Sequence, residues 1–276
     1  MRVHTALPEA LTEAVQAVLE AEAVEHVAHR GAQSLRAAEA AAADPDALAL
    51  IGPYRSAEIA EAVEATAPVG LPLLAPVATW AGVTRDDEPG CEDAARHRGT
   101  VLRMVARDTV VAARLARHVR AAGRHAVVVA GDHDYGRQLD GQLRLGGLPR
   151  SDDGEGGDLV VLAGLARGPE VARAAALAPL PLVAFDGVQG ADLGADRDVR
   201  LALPFAPDDG RAGVEQARHA AELLVAALRQ GARDRPSLLG ALRELGPFDE
   251  HGDPVDPPVW LWRASADWTL VAHVAI

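Results

Sequence analysis

Residues 48–56 read LALIGPYRS: four apolar residues without a polar interruption, a stop at Gly52-Pro53, then Tyr54, Arg55 and Ser56. A strand with one wet face alternates apolar and polar residues. This one does not, so it reads as a parallel strand buried on both faces, with a helix to follow. The same design recurs at residues 71–79 (LPLLAPVAT), 126–135 (AVVVAGDHDY) and 182–187 (LVAFDG). Ligands of open α/β sheets bind at the carboxyl ends of such strands. The turns after these four runs offer hydroxyls, backbone groups, a tyrosine and a carboxylate, which suits gripping a small zwitterion better than breaking a bond.

Outward from these runs the chain alternates strand and helix. Residues 2–7 read as a strand and Pro8 opens a helix to about residue 22. A strand at 23–28, an alanine-rich helix at 32–43 and the strand at 47–51 follow. Ser56 is placed to cap a helix to about residue 67, and Pro68-Val69-Gly70 returns the chain to the strand beginning at Leu71. After a polar loop at 85–99 and a strand at 100–105, Asp108 is placed to cap a helix at 109–122. Strand, helix, strand, helix and strand then run to Phe185. Residues 146–157 (GGLPRSDDGEGG) read as a solvated loop. A helix over 210–230, another over 236–245, a turn at 248–253 and a hairpin of strands 259–263 and 269–275 around Asp267-Trp268 complete the reading.

The chain has 276 residues, enough for two modest cores. Its 27 basic and 40 acidic residues give a net charge of -13, which repels phosphate backbones and anionic lipid, so no nucleic acid partner is expected. Every basic residue apart from histidine is Arg, and there is neither Lys nor Asn. That removes Schiff-base chemistry and a Walker A lysine. Cys91 is the single cysteine, so it can form no internal disulfide and no cysteine metal cluster. His26 and His29 fall on opposite sides of a strand, which argues against one metal between them. No HExxH, G-x-S-x-G or phosphate loop occurs; no metal and no cofactor are expected, and the chain reads as no enzyme. Asp132, His133 and Asp134 cluster acid and imidazole in one turn, the one constellation from which a catalytic reading could grow. No apolar run reaches the roughly 18 to 20 residues that span a bilayer, so no direct membrane insertion is expected. Nor does the amino terminus develop a signal-peptide core. The chain as given reads as cytoplasmic, or as extracytoplasmic if an upstream signal has been removed.

In order and spacing the segments resemble the type 1 periplasmic binding proteins, specifically the leucine/isoleucine/valine-binding group of ABC-transporter solute receptors. The carriers are Ile51-Gly52-Pro53 with Ser56, residues 75–79 (APVAT), Leu102-Arg103-Met104 with Asp108, Asp134-Tyr135-Gly136, Asp186-Gly187, and Phe248-Asp249 with Gly252-Asp253. The resemblance implies two doubly wound parallel-sheet α/β lobes, residues 1–106 with 206–252 and residues 107–205 with 253–276. Three crossovers near Ala106, Phe205 and Gly252 would join them, with ligand held between the lobes and an ABC permease as partner. It further implies that Ser56, Ala78 and Thr79 hold an amino acid's carboxylate and ammonium, that Tyr135 flanks the ligand, and that Asp186 pairs with the ammonium. The chain also departs from that pattern. The first crossover unit is curtailed, His29 stands where an Asp commonly ends strand two, and Trp80 replaces a usual Asn. Leu165 or Ala166 stands where an aromatic is common.

Each residue has a second reading. Ser56 serves either as a helix cap or as part of an anion site at the helix start. Thr79 either completes a turn or meets ligand. Trp80 is packed rim or a cation-π face. Asp186, at a buried strand end, needs a partner, which is either a ligand ammonium or a nearby Arg or helix amide. Trp260, Trp262 and Trp268 read as core. The leading function is reversible capture of an amino acid or related carboxylate as an ABC solute receptor. The alternatives are a cytoplasmic ligand sensor or regulatory protein of the same fold, and a ligand-free scaffold.

Overall fold

The computed structural model describes residues 1–29, 34–88, 91, 99–148, 156–188, 190–193, 197–204, 213–264 and 270–276. The chain begins with β1 (Arg2–Thr5), α1 (Glu9–Ala21), β2 (Glu25–Ala28), α2 (Ser34–Ala43), β3 (Ala47–Ile51), α3 (Ser56–Thr66), β4 (Leu73–Ala75) and β5 (Val101–Arg103). These strands form one parallel sheet in the order β2-β1-β3-β4-β5. The order reverses between β1 and β3, the kind of switch point at whose carboxyl ends open α/β sheets bind ligands. All five residues of β3 are buried, as its unbroken apolar run requires. Ala38 and Ala41 of α2 and Ile59, Ala62 and Val63 of α3 share a core with Leu50, Leu73, Val83 and Val101. Gly52 closes β3 with φ +99°, and a Cβ there would lie 2.7 Å from the Ala6 carbonyl oxygen. Only glycine fits that approach.

A second sheet follows. After α4 (Asp108–Ala121) come β6 (Ala126–Ala130), α5 (Asp134–Leu145), β7 (Leu159–Ala163), α6 (Pro169–Ala175), β8 (Leu182–Ala184) and β9 (Val199–Leu203). Next come α7 (Val214–Arg229) and α8 (Arg235–Leu245), and the chain closes with β10 (Trp260–Ala264) and β11 (Leu270–Ala275). The sheet order is β11-β10-β9-β8-β7-β6, with β6 to β9 parallel and the last two strands antiparallel. The terminal hairpin is therefore present; its Asp267-Trp268 turn lies outside the described residues. Trp262 is buried and Trp260 half-buried.

Two compact units result: Met1–Arg107 with Arg211–Pro257, and Asp108–Gly210 with Pro258–Ile276. Helices α7 and α8 belong to the first, where α7 packs on α1 and β3 and buries Ala217, Ala221 and Leu224. The expected third crossover at Gly252 needs correction, because residues 253–257 stay with the first unit. The Arg103 amide donates to the Gly252 carbonyl, Phe248 bridges Pro254, and Asp253 is ion-paired to arginines of that unit. The second crossover, expected at Phe205, lies outside the described residues. Among those residues no helix is long and apolar enough to cross a membrane.

Candidate functional site

On the first unit, two turns at the carboxyl ends of β3 and β4 come together. Ser56 is the first residue of α3, not its cap; Arg55 occupies the cap position, its amide bonded to Glu58 Oε2 at 3.3 Å. The Ser56 hydroxyl instead accepts the Trp80 amide at 3.2 Å, tying the start of α3 to the Ala78-Thr79-Trp80 turn. Ala78 and Thr79 are buried. Neither the amide nor the hydroxyl of Thr79 is spent on another described residue, and the first-turn amides of a helix have no partner within it. Trp80 packs against the core, its indole lying where a Cβ on Gly82 would sit.

The turn is held from behind by a residue that sequence reasoning did not place at the site. Arg103 on β5 is fully buried. Its Nη1 donates to the Ala78 carbonyl at 2.7 Å, and its Nη2 donates to the Trp80 carbonyl at 3.0 Å and to Thr84 Oγ1 at 2.7 Å. Its Nε meets Asp253 Oδ1 at 2.9 Å. Asp253 also receives Thr84 Oγ1 at 2.6 Å, Arg85 Nε at 3.0 Å and Arg107 Nη1 at 3.2 Å. Burial opposes the charge, yet Arg103, Thr84, Arg85 and Arg107 together hold the Asp253 carboxyl below the usual aspartate range. An arginine inside an otherwise apolar strand (VLRMV, residues 101–105) was the available signal.

On the second unit, the turns after β6, β7 and β8 converge. The Tyr135 hydroxyl donates to Asp186 Oδ1 at 3.1 Å, and both residues are half-buried. Withdrawal from solvent, with the Asp108 and Asp186 carboxylates beside it, pushes the Tyr135 phenol well above its ordinary range. Burial also raises the Asp186 carboxyl, against the Tyr135 hydroxyl and the amides of Gly187 and Asp186. Among the described residues no arginine pairs with Asp186. Gly187 makes room for this group: a Cβ there would come within 3.0 Å of the Tyr135 ring and 3.1 Å of Leu165.

The acid and imidazole trio that is contiguous in sequence is taken apart by the fold. Exposed Asp132 and Asp134 both pair with Arg137, at 2.8 and 2.6 Å. His133 turns inward to cap α5 and meet Glu170. His26 bonds Thr5 and His29 bonds His4, so the two histidines of β2 and its end do diverge. Among the described residues no group of three or more metal-type side chains could hold an ion.

No family model matches the chain, and no curated protein matches it. Solved structures do. A substrate-binding protein of an ABC transporter from Desulfitobacterium hafniense, in complex with Leu, is 19% identical with a TM-score of 0.77 over 100% of this chain and 99% of that one. A leucine-binding protein from Thermotoga maritima is 19% identical with a TM-score of 0.72, covering 99% and 98%. A solute-binding protein of an ABC transporter from Rhodopseudomonas palustris, in complex with p-hydroxybenzoic acid, is 12% identical with a TM-score of 0.69, covering 99% and 95%. At these identities the likeness shows the fold, that of the type I periplasmic binding proteins.

Proposed function

We propose that this chain is a solute receptor of an ABC-type uptake system that captures an amino acid or closely related carboxylate and leaves it chemically unchanged. The turn of Ser56, Ala78, Thr79 and Trp80 on the first unit takes the ligand's carboxylate on the Ser56 and Thr79 hydroxyls and the Thr79 amide. Tyr135 and Asp186 of the second unit take its ammonium. The observation that carries this reading is the environment of Asp186: a half-buried carboxylate bonded to a phenol, with no arginine beside it among the described residues. Such a group gains a counter-ion from an ammonium, which a neutral phenol cannot supply. Two of the structural relatives are named for leucine or hold it, and a third holds a hydroxybenzoate, so the two ligands frame the test. Calorimetry is expected to show L-leucine binding and weak or absent binding of 4-hydroxybenzoate. Equal affinity for both, unchanged in Asp186→Asn, would overturn the reading. An ABC permease is the partner this function requires.

A further inference from the structure

Beside Tyr135 a buried carboxylate meets a half-buried imidazole, and the binding role leaves this pair unused. Glu170 on α6 is fully buried, and its Oε1 accepts the Leu165 amide at 2.9 Å and meets His133 Nε2 at 3.1 Å. Glycines at 131, 164 and 168 surround it; a Cβ at any of the three would run into the carboxylate. His133 Nδ1 accepts the Gly136 amide at 3.1 Å and so caps α5. A neutral imidazole has one acceptor and one donor nitrogen, so the cap requires the proton on Nε2, where Glu170 receives it. The His133 and Tyr135 rings lie nearly parallel, 4° apart with centroids at 6.3 Å. Burial works against the Glu170 charge, but the Leu165 amide, its own amide and His133 hold its carboxyl below the ordinary range.

We infer that Glu170 is a positioning residue for Tyr135: it selects the His133 tautomer that caps α5, and the capped first turn aims the phenol at Asp186. The inference deepens the binding role proposed above and rests on it only for its effect on affinity.

The test uses the whole chain in a Tyr54→Phe background, where Tyr135 is the one tyrosine left of two. Imidazole proton-nitrogen correlation spectra at pH 8 report the tautomer, ultraviolet titration reports phenol ionisation, and calorimetry with L-leucine reports binding. The parent is expected to show the Nε2–H tautomer at His133, and Glu170→Gln to keep it, since an amide oxygen accepts both bonds. Glu170→Ala should mix the tautomers, let Tyr135 ionise at lower pH and weaken L-leucine about tenfold, while Gln stays within about threefold. His133→Ala, at a half-buried position, should release Tyr135 in the same way and carries the test if Glu170→Ala does not fold. An Nδ1–H tautomer in the parent, or unchanged Tyr135 ionisation in both alanine variants, overturns the inference. If the parent binds no L-leucine, the proposed ligand class falls, while the tautomer and phenol readings still decide the role of Glu170.

Discussion

At Asp186 the demands of folding and of the proposed binding role are opposed. Its carboxyl is raised by burial, so the folded chain holds the proton more tightly than the unfolded chain. The stability this contributes is complete below the ordinary aspartate range and is lost as the pH rises through the folded value. At neutral pH the ionised group is therefore a burden on the unliganded second unit. Asp186→Asn is expected to raise the melting temperature at pH 7 and to lose that advantage near pH 4, as thermal unfolding across this range would show. Binding should respond in the opposite sense. Asp186→Ala leaves a bound ammonium without its counter-ion, a defect of roughly 3 to 5 kcal/mol, or about two to three and a half decades of affinity. An L-leucine affinity within about threefold of the parent would show that Asp186 serves the fold alone. Asp186 and Tyr135 were legible in the sequence because strand ends followed by Gly or Asp are easy to find. Glu170 was not: it lies in a short helix, remote in sequence from the turn it supports, and its pairing with His133 exists only after β6 and β7 align.

Elements were read with most success where burial on both faces forced an unbroken apolar run. The strand expected at 47–51 is β3 to the residue, and the run opening at residue 126 became β6. Ends were read less well, since Ser56 and Asp108 both have capping side chains yet open their helices from the first helical position. The third crossover, which the resemblance implied near Gly252, falls after Pro257, and the positive φ of Gly252 does not mark a hinge. Its positive φ instead lets the chain pass close over β5, where a Cβ would strike the Val101 carbonyl. What holds that passage is Arg103 with Asp253. Arg103→Met is expected to cost about 3 to 5 kcal/mol in urea unfolding, because it orphans buried carbonyls at Ala78 and Trp80 as well as an ion pair. The pH dependence has its own sign. The folded Asp253 carboxyl lies below the unfolded value of about 3.9, so its stabilisation is complete above that pH and drains away as acid reaches the folded value. Asp253→Asn should flatten that acid limb while lowering stability at pH 7, and an unchanged acid limb would remove Asp253 from the account.

For the molecule as a whole, the proposed function assigns polar groups of both units to one ligand. The polar groups proposed to bind lie at carboxyl ends of β3 and β4 in one and of β6 and β8 in the other. Under the proposed function each set would serve one end of a zwitterion, and neither unit alone would satisfy both charges. A ligand held jointly would stabilise the folded chain against unfolding by about 2.7 kcal/mol at one hundred times its dissociation constant. That energy is available only while both units are folded, which couples their unfolding. Calorimetric scans of the unliganded chain are expected to resolve two transitions, one for each unit's own core. Saturating L-leucine should raise the lower transition toward the upper and merge them. Asp186→Ala should keep two transitions at the same L-leucine concentration, and Thr79→Val should do the same from the opposite unit. If L-leucine shifts only one transition, and if only the variant in that unit abolishes the shift, then the ligand belongs to a single unit and the shared grip proposed here is wrong.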